Sequence, residues 1–212
     1  MNVCMMPMLL SAFLPAPDFT QDPNAKDQLI AQQTQEIEAL TAQVDAQKIQ
    51  NTYFKIMSLR PSTRPDVAKS VAKVVLIQAA KNDIDPDLLL ALIRVESYFE
   101  PRAVSWSGAR GLTQVLYGYW KGECGLTMRN VYDVETNITC GIHILLTYQQ
   151  KYNNLSLALV SYNQGPELVD YLIEHHRRIN YGYAKSVHYF YNQLKAYETS
   201  IDVNKGQKLL GF

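Results

Sequence analysis

Glu96 closes the apolar run Leu88-Leu89-Leu90-Ala91-Leu92-Ile93-Arg94-Val95, and the residues that follow it are the chemically richest in the chain. A carboxyl set against apolar side chains loses hydration. Its neutral form is then favoured, and a glutamate pKa can rise by a few units. Such a group still carries its proton near neutral pH and can deliver it as a general acid. Hydroxyls and amides lie downstream: Ser105, the turn Gly108-Ala109-Arg110-Gly111 leading to Gln114, then Ser161-Tyr162-Asn163-Gln164-Gly165-Pro166, then Tyr183. A single poised acid facing polar groups able to hold a substrate is the natural reading. Glu100, Glu123 and Asp133 are the nearby candidates for a second carboxylate. His175 and His176 are adjacent, so on a helix they point about 100° apart and make a poor metal pair. His143 and His188 lack ligand spacing. No metal or cofactor is expected.

The elements that must carry these residues are helical. Asp85-Pro86-Asp87 reads as a helix start, with Asp85 at the N-cap and Pro86 at the first helical position. That helix should end near Glu96 or Ser97. A preceding helix from about Asp66 to Lys81 shows Val67, Val71, Val74, Val75 and Ala79 on one face. Further helices are expected from Glu135 to Tyr152, around Ser156 to Tyr162, from Glu167 to His175 and from Gly182 to about Tyr197. No alternating strand pattern of useful length occurs. The fold class is therefore all-α. The breaker Pro61-Ser62-Thr63-Arg64-Pro65 marks a domain boundary. Residues 27–57 form a polar helix without Gly or Pro. With Ile30, Ile37, Val44 and Asn51 at position a and Gln33, Leu40, Gln47 and Phe54 at d, five of eight seam positions are apolar. A weakly specified coiled coil and a single amphipathic helix lying on a partner both fit. The chain thus divides into an apolar segment and linker (1–26), a helical arm (27–60), a catalytic domain (61–199) and a tail (200–212).

Composition excludes some classes. Lys plus Arg and Asp plus Glu both number 20, so the formal net charge is zero. No basic stripe supports a nucleic-acid partner. The run from Val3 to Leu14 is too short to span a bilayer, which takes about 20 residues, and it lacks the Lys or Arg that precedes a secretory signal. Tyrosine is abundant at 14 residues, mostly after position 115. Its flat face and hydroxyl suit either a sugar-binding groove or an aromatic core. Cys4, Cys124 and Cys140 show no metal spacing. Cys124 and Cys140 admit two readings: a disulfide worth ~3 kcal/mol that needs an oxidising compartment, or two free thiols.

Three motifs, in order, give the chain a resemblance. Glu96-Ser97-Tyr98-Phe99-Glu100-Pro101 with Ala103 and Ser105, then Gly108-Ala109-Arg110-Gly111-Leu112-Thr113-Gln114, then Ser161-Tyr162-Asn163-Gln164-Gly165-Pro166 resemble the signature of the soluble lytic transglycosylase catalytic domain. The likeness covers residues 82–195. It implies a lysozyme-like fold acting on peptidoglycan glycan strands. By the same resemblance Glu96 is the catalytic acid and then base, Ser105 hydrogen-bonds the substrate near the cleavage site, Gln114 and Tyr162 line the cleft, and Asn163 binds the sugar's polar groups or positions Glu96. Tyr183 directs its hydroxyl toward Glu96. Thr113 stands where the family usually has Met, Ser161 where it has Ala, and Leu116-Tyr117-Gly118-Tyr119-Trp120 replaces its usual Met-Pro-x-Thr-Ala.

The family cleaves without water: the sugar's own C6 hydroxyl attacks, leaving a 1,6-anhydro-N-acetylmuramyl end. A goose-lysozyme-like hydrolase would instead need a second carboxylate such as Glu100 or Asp133. A wall-binding subunit that keeps the cleft without turnover is the third reading. The helical arm and the weak N-terminal signal resemble enzymes carried by phage virions or secretion machines. This implies a virion or periplasmic location and self-assembly or partner docking through residues 27–57.

Overall fold

The computed structural model of the chain describes residues 23–210. The segment Val3–Leu14 and residues 15–22 of the expected linker lie outside them. Eight helices and one minute hairpin follow in order: α1 (Pro23–Leu59), α2 (Pro65–Asn82), α3 (Pro86–Ser97), β1 (Ala109–Arg110), β2 (Val115–Leu116), α4 (Tyr117–Trp120), α5 (Val134–Tyr152), α6 (Leu155–Gln164), α7 (Pro166–Glu174) and α8 (Gly182–Leu210). The architecture is all-α, as the periodicity predicts. The hairpin pairs Ala109 with Leu116 and Arg110 with Val115 and is too short to leave an alternating pattern. Helix α8 continues to Leu210, where the sequence reads as a tail from residue 200.

Helix α3 is the axis of the domain. Leu88 through Ile93 are all buried, so the helix is apolar on every side and must be surrounded. Leu88, Ala91 and Leu92 join one core with Ile144, Leu145 and Leu159. Leu89, Leu90 and Ile93 join another with Val71, Val75, Leu112 and Ile142. Each buried leucine contributes ~1.5–3 kcal/mol of apolar transfer. The helix starts as its sequence specifies: the Asp85 side chain accepts from Asp87 N at 2.9 Å, and Pro86 occupies the first position. Helices α2 and α8 pack against it, and α5 packs on α2 and α6.

Asp87, in the first turn of α3, is buried. Lys55 Nζ lies 2.9 and 3.0 Å from its two oxygens, and Lys195 Nζ from α8 lies 3.2 Å away. The charge tolerates burial because two ammonium groups meet it.

The chain divides between Asp45 and Ala46 rather than at the Pro61–Pro65 breaker. The reason is physical: Ile56 is fully buried in the second core, with Ile49 and Tyr53 packed against it, and Lys55 neutralises Asp87. The last turns of α1 therefore belong to the second unit, Ala46–Phe212. A chain starting at residue 46 should unfold like the full-length protein. One starting at residue 58 should lose ~3 kcal/mol or more, through the cavity left by Ile56 and the weakened Asp87 pair. Denaturant melts of the two truncations check this.

Candidate active site

Glu96 is the penultimate residue of α3, one helical turn beyond the buried Leu92. The helix then stops abruptly. Tyr98 and Phe99 both take left-handed backbone, with φ of 55° and 61°. For non-glycine residues each costs roughly 1–2 kcal/mol. Phe99 offsets this by burying its ring in the core beside Leu112. Tyr98 turns outward, with Arg94 stacked 4.2 Å above its ring, and its carbonyl accepts from Arg60 Nη1. This turn fixes where the carboxyl of Glu96 points.

That carboxyl is enclosed by protein yet keeps part of its residue surface open. Burial pushes its pKa up from 4.5 to about 7, against a smaller downward pull from the hydroxyl of Tyr183, which donates to Oε1. Tyr183 is the second residue of α8. Burial and the adjacent Glu96 hold its own pKa well above 10, so it remains a donor. Tyr162, from α6, lies near enough for the Glu96 charge to help raise its pKa, after burial itself. Its hydroxyl donates to Thr113 O at 2.7 Å. Side chains of α3, α6 and α8 thus meet around Glu96, and Tyr162 ties in the loop at Thr113.

The loop is held by a residue that sequence reasoning passed over. Buried Asn137, in the first turns of α5, accepts from Thr113 N at 2.8 Å. Its amide donates to Arg110 O at 3.0 Å and Val131 O at 2.8 Å. Thr113 Oγ1 donates back to Asn137 O at 2.9 Å. Two glycines make room: a Cβ on Gly111 would stand 2.2 Å from Asn137 Nδ2, and one on Gly141 would stand 2.6 Å from Thr113. Gly111 therefore serves close packing as well as its positive φ of 79°. An amide on the apolar face Val134–Ile138–Gly141 was the available signal.

The remaining residues of the expected cleft fall in two groups. Gln114, at φ 49°, gives its amide to Ala103 O at 3.2 Å and Gly111 O at 2.9 Å, clamping the loop. Ser105 Oγ accepts from Ala109 N at 3.0 Å and lies 2.9 Å from Ser107 Oγ. Asn163 is exposed beside Tyr162 and makes no side-chain hydrogen bond among the described residues. Neither Ser105 nor Asn163 bonds to Glu96, Tyr162 or Tyr183.

The candidate second carboxylates are engaged elsewhere. Glu100 accepts from Arg102 N at 3.3 Å. Asp133 is the N-cap of α5, accepting from Thr136 N at 2.9 Å. Glu123 pairs with His143 at 3.2 Å. None contributes to the shift at Glu96. Cys124 and Cys140 form a disulfide, settling that pair, and pin the segment after α4 to α5. Trp120, in the stretch that departs from the family pattern, is a buried core residue against Tyr148. Among the described residues no group of His, Cys, Asp and Glu is arranged to hold a metal ion.

The fold and site together define a lysozyme-like α-helical domain built around one acidic residue. The chain belongs to the transglycosylase SLT domain family, whose model matches residues 73–181. A transglycosylase of Enterobacteria phage PRD1 is 32% identical over 87 residues, 41% of this chain and 32% of that protein. Membrane-bound lytic murein transglycosylase F of Desulfosudis oleivorans is 31% identical over 129 residues, 58% of this chain and 25% of its own. The 70 kDa soluble lytic transglycosylase of Escherichia coli shares the fold, with a TM-score of 0.54 at 22% identity over 73% of this chain and 30% of that one. The chain spans about a third or less of each relative's length.

Two outcomes follow from the electrostatics. The folded state holds the Glu96 proton more tightly than the unfolded chain does. That advantage is full below pH 4.5 and lost as pH rises through about 7. Glu96→Gln, neutral at every pH, should equal wild type in stability below about pH 4.5 and exceed it by ~3 kcal/mol above about pH 8, read by urea unfolding at each pH. Tyr183→Phe removes the bond that favours the charged form, so the Glu96 pKa should move higher still. A carbon-13 NMR titration of the side chain reads that shift.

Proposed function

We propose that this domain is a peptidoglycan lytic transglycosylase. The observation that carries the reading is a lone carboxyl with a pKa near 7, while Glu100, Glu123 and Asp133 are engaged elsewhere. Glu96 protonates the glycosidic oxygen between N-acetylmuramic acid and N-acetylglucosamine as the bond breaks. Its carboxylate, steadied by the Tyr183 hydroxyl, then takes the proton from the C6 hydroxyl of the muramyl residue as that oxygen attacks the anomeric carbon. A 1,6-anhydro end results and no water is consumed. Asn163, whose amide is uncommitted, binds polar groups of the sugar. Ser105, Gln114 and Tyr162 act at the cleft wall, the last two chiefly by holding the loop.

The setting we infer is the virion or the cell envelope. The likeness to the phage PRD1 protein supports the first, and the disulfide suits any oxidising site outside the cytosol. No helix among the described residues is long and apolar enough to cross a membrane. Self-association or partner docking through residues 27–57 is supported by the exposure of Ile30, Ile37, Leu40 and Val44 at their seam positions.

Mass spectrometry of muropeptides released from purified sacculi tests the reading. Wild type should release anhydro ends and Glu96→Gln should lose at least ~100-fold in rate, the scale of a general-acid contribution. Reducing ends would make the domain a hydrolase. No release would leave a wall-binding subunit.

A further inference from the structure

Trp106 stands fully exposed, the most open of the large apolar side chains among the described residues. It occupies a turn that does not need it. Gly108 N donates to Ser105 O at 3.0 Å, placing Trp106 and Ser107 at the two central positions of a four-residue turn. The geometry is met by other residues. Gly108 supplies the positive φ of 82°, and Ser105 N donates to Ala109 O at 3.0 Å while its hydroxyl accepts from Ala109 N. The indole makes no ring stack, cation contact or hydrogen bond with described residues. The neighbouring guanidiniums of Arg102 and Arg110 lie over Tyr132 instead. A rigid turn is therefore presenting an aromatic face that the fold does not use.

The turn is tied to the acid site by a short series of contacts. Tyr162 beside Glu96 holds Thr113 O. Gln114, the next residue, donates to Ala103 O, and so does Gly111 N at 2.9 Å. Trp106 is three residues from Ala103, within ~10 Å by chain reach. The turn that presents Trp106 is thus bonded to the same loop that Tyr162 holds beside Glu96. An indole presents a flat apolar face, which matches the C–H face of a pyranose, and the hydroxyls of Ser105 and Ser107 flank it. Accepting that the Glu96 site cleaves a glycan strand, we propose that Trp106 is a stacking residue for a sugar of that strand beyond the cleaved bond. It sets affinity for a distal subsite rather than the rate of bond breaking.

The chain has only two tryptophans, and Trp120 is buried, so fluorescence reports on Trp106 directly. In full-length Glu96→Gln protein, a β-1,4-linked N-acetylglucosamine hexamer should shift Trp emission to the blue with saturation, and Trp106→Ala in that background should abolish the shift. With Glu96 restored, Trp106→Ala should raise KM for soluble glycan strands about tenfold and leave kcat within about twofold, and Trp106→Tyr should recover part of the loss. Unchanged melting of Trp106→Ala would set folding aside as the cause. An unchanged KM in an enzyme that still releases anhydro ends would overturn this proposal alone. Emission that shifts with anionic lipid vesicles and not with the hexamer would overturn it in favour of a membrane contact. If wild type neither cleaves sacculi nor binds the hexamer by calorimetry, the glycan reading falls and this proposal with it.

Discussion

One helix carries two enclosed carboxyls, and the way each is treated organises the domain. Helix α3 is surrounded on all sides, so any charge on it must be met or given up. At its start the Asp87 carboxyl is met by the ammonium groups of Lys55 and Lys195. At its end Glu96 has only the Tyr183 hydroxyl, and burial lifts its pKa to about 7. One carboxyl is thus matched by cations, while burial leaves the other to hold a proton. The difference lies in the partners that α1 and α8 bring. The final turns of α1 are accordingly part of the site's support, although they lie some forty residues upstream in sequence.

The second requirement is a fixed loop behind Tyr162, the neighbour of the acid. The segment Gly111–Gln114 has no regular secondary structure to hold it. Its backbone groups are met instead by Asn137, and Gly111 and Gly141 let loop and helix approach closely. Tyr162 closes the arrangement from α6 by bonding Thr113 O. A methyl-bearing residue at either glycine would push Asn137 or Thr113 away and release the loop. The Thr113 departure from the family's usual Met makes sense here, because its hydroxyl bonds Asn137 where a thioether could not.

Local signals explain what was legible in the sequence. The cap and proline at Asp85–Pro86 start α3 as expected, and the run of six buried apolar residues places Glu96 at the end of that helix. What the sequence did not give away depends on contacts distant along the chain. Asn137 reads as an ordinary helix-start residue until the loop 24 positions earlier is laid against it. The packing of Ile56 is hidden because the helical pattern runs unbroken from the polar arm to residue 57, so the boundary is drawn at the prolines. Spacing alone left the two cysteines undecided, since a separation of 16 residues says nothing of their distance in space. Gln114 and Ser105 were legible as motif residues, yet their hydrogen bonds show how much of a motif is spent on holding itself together.

A pKa near 7 has a consequence for a site with one carboxyl. An ordinary glutamate at 4.5 would be protonated in only ~0.3% of molecules at pH 7, and donation would begin from that small fraction. Lifting the pKa much further would fill the acid form but leave a conjugate base too eager to keep the proton for the next turnover to be balanced. A group that must give a proton and then take one back works best when both transfers are close to isoenergetic with the medium. Burial supplies the lift, and the Tyr183 hydroxyl trims it by favouring the charged form. The tyrosine thus favours the carboxylate, the form that takes up the second proton in the cycle proposed above.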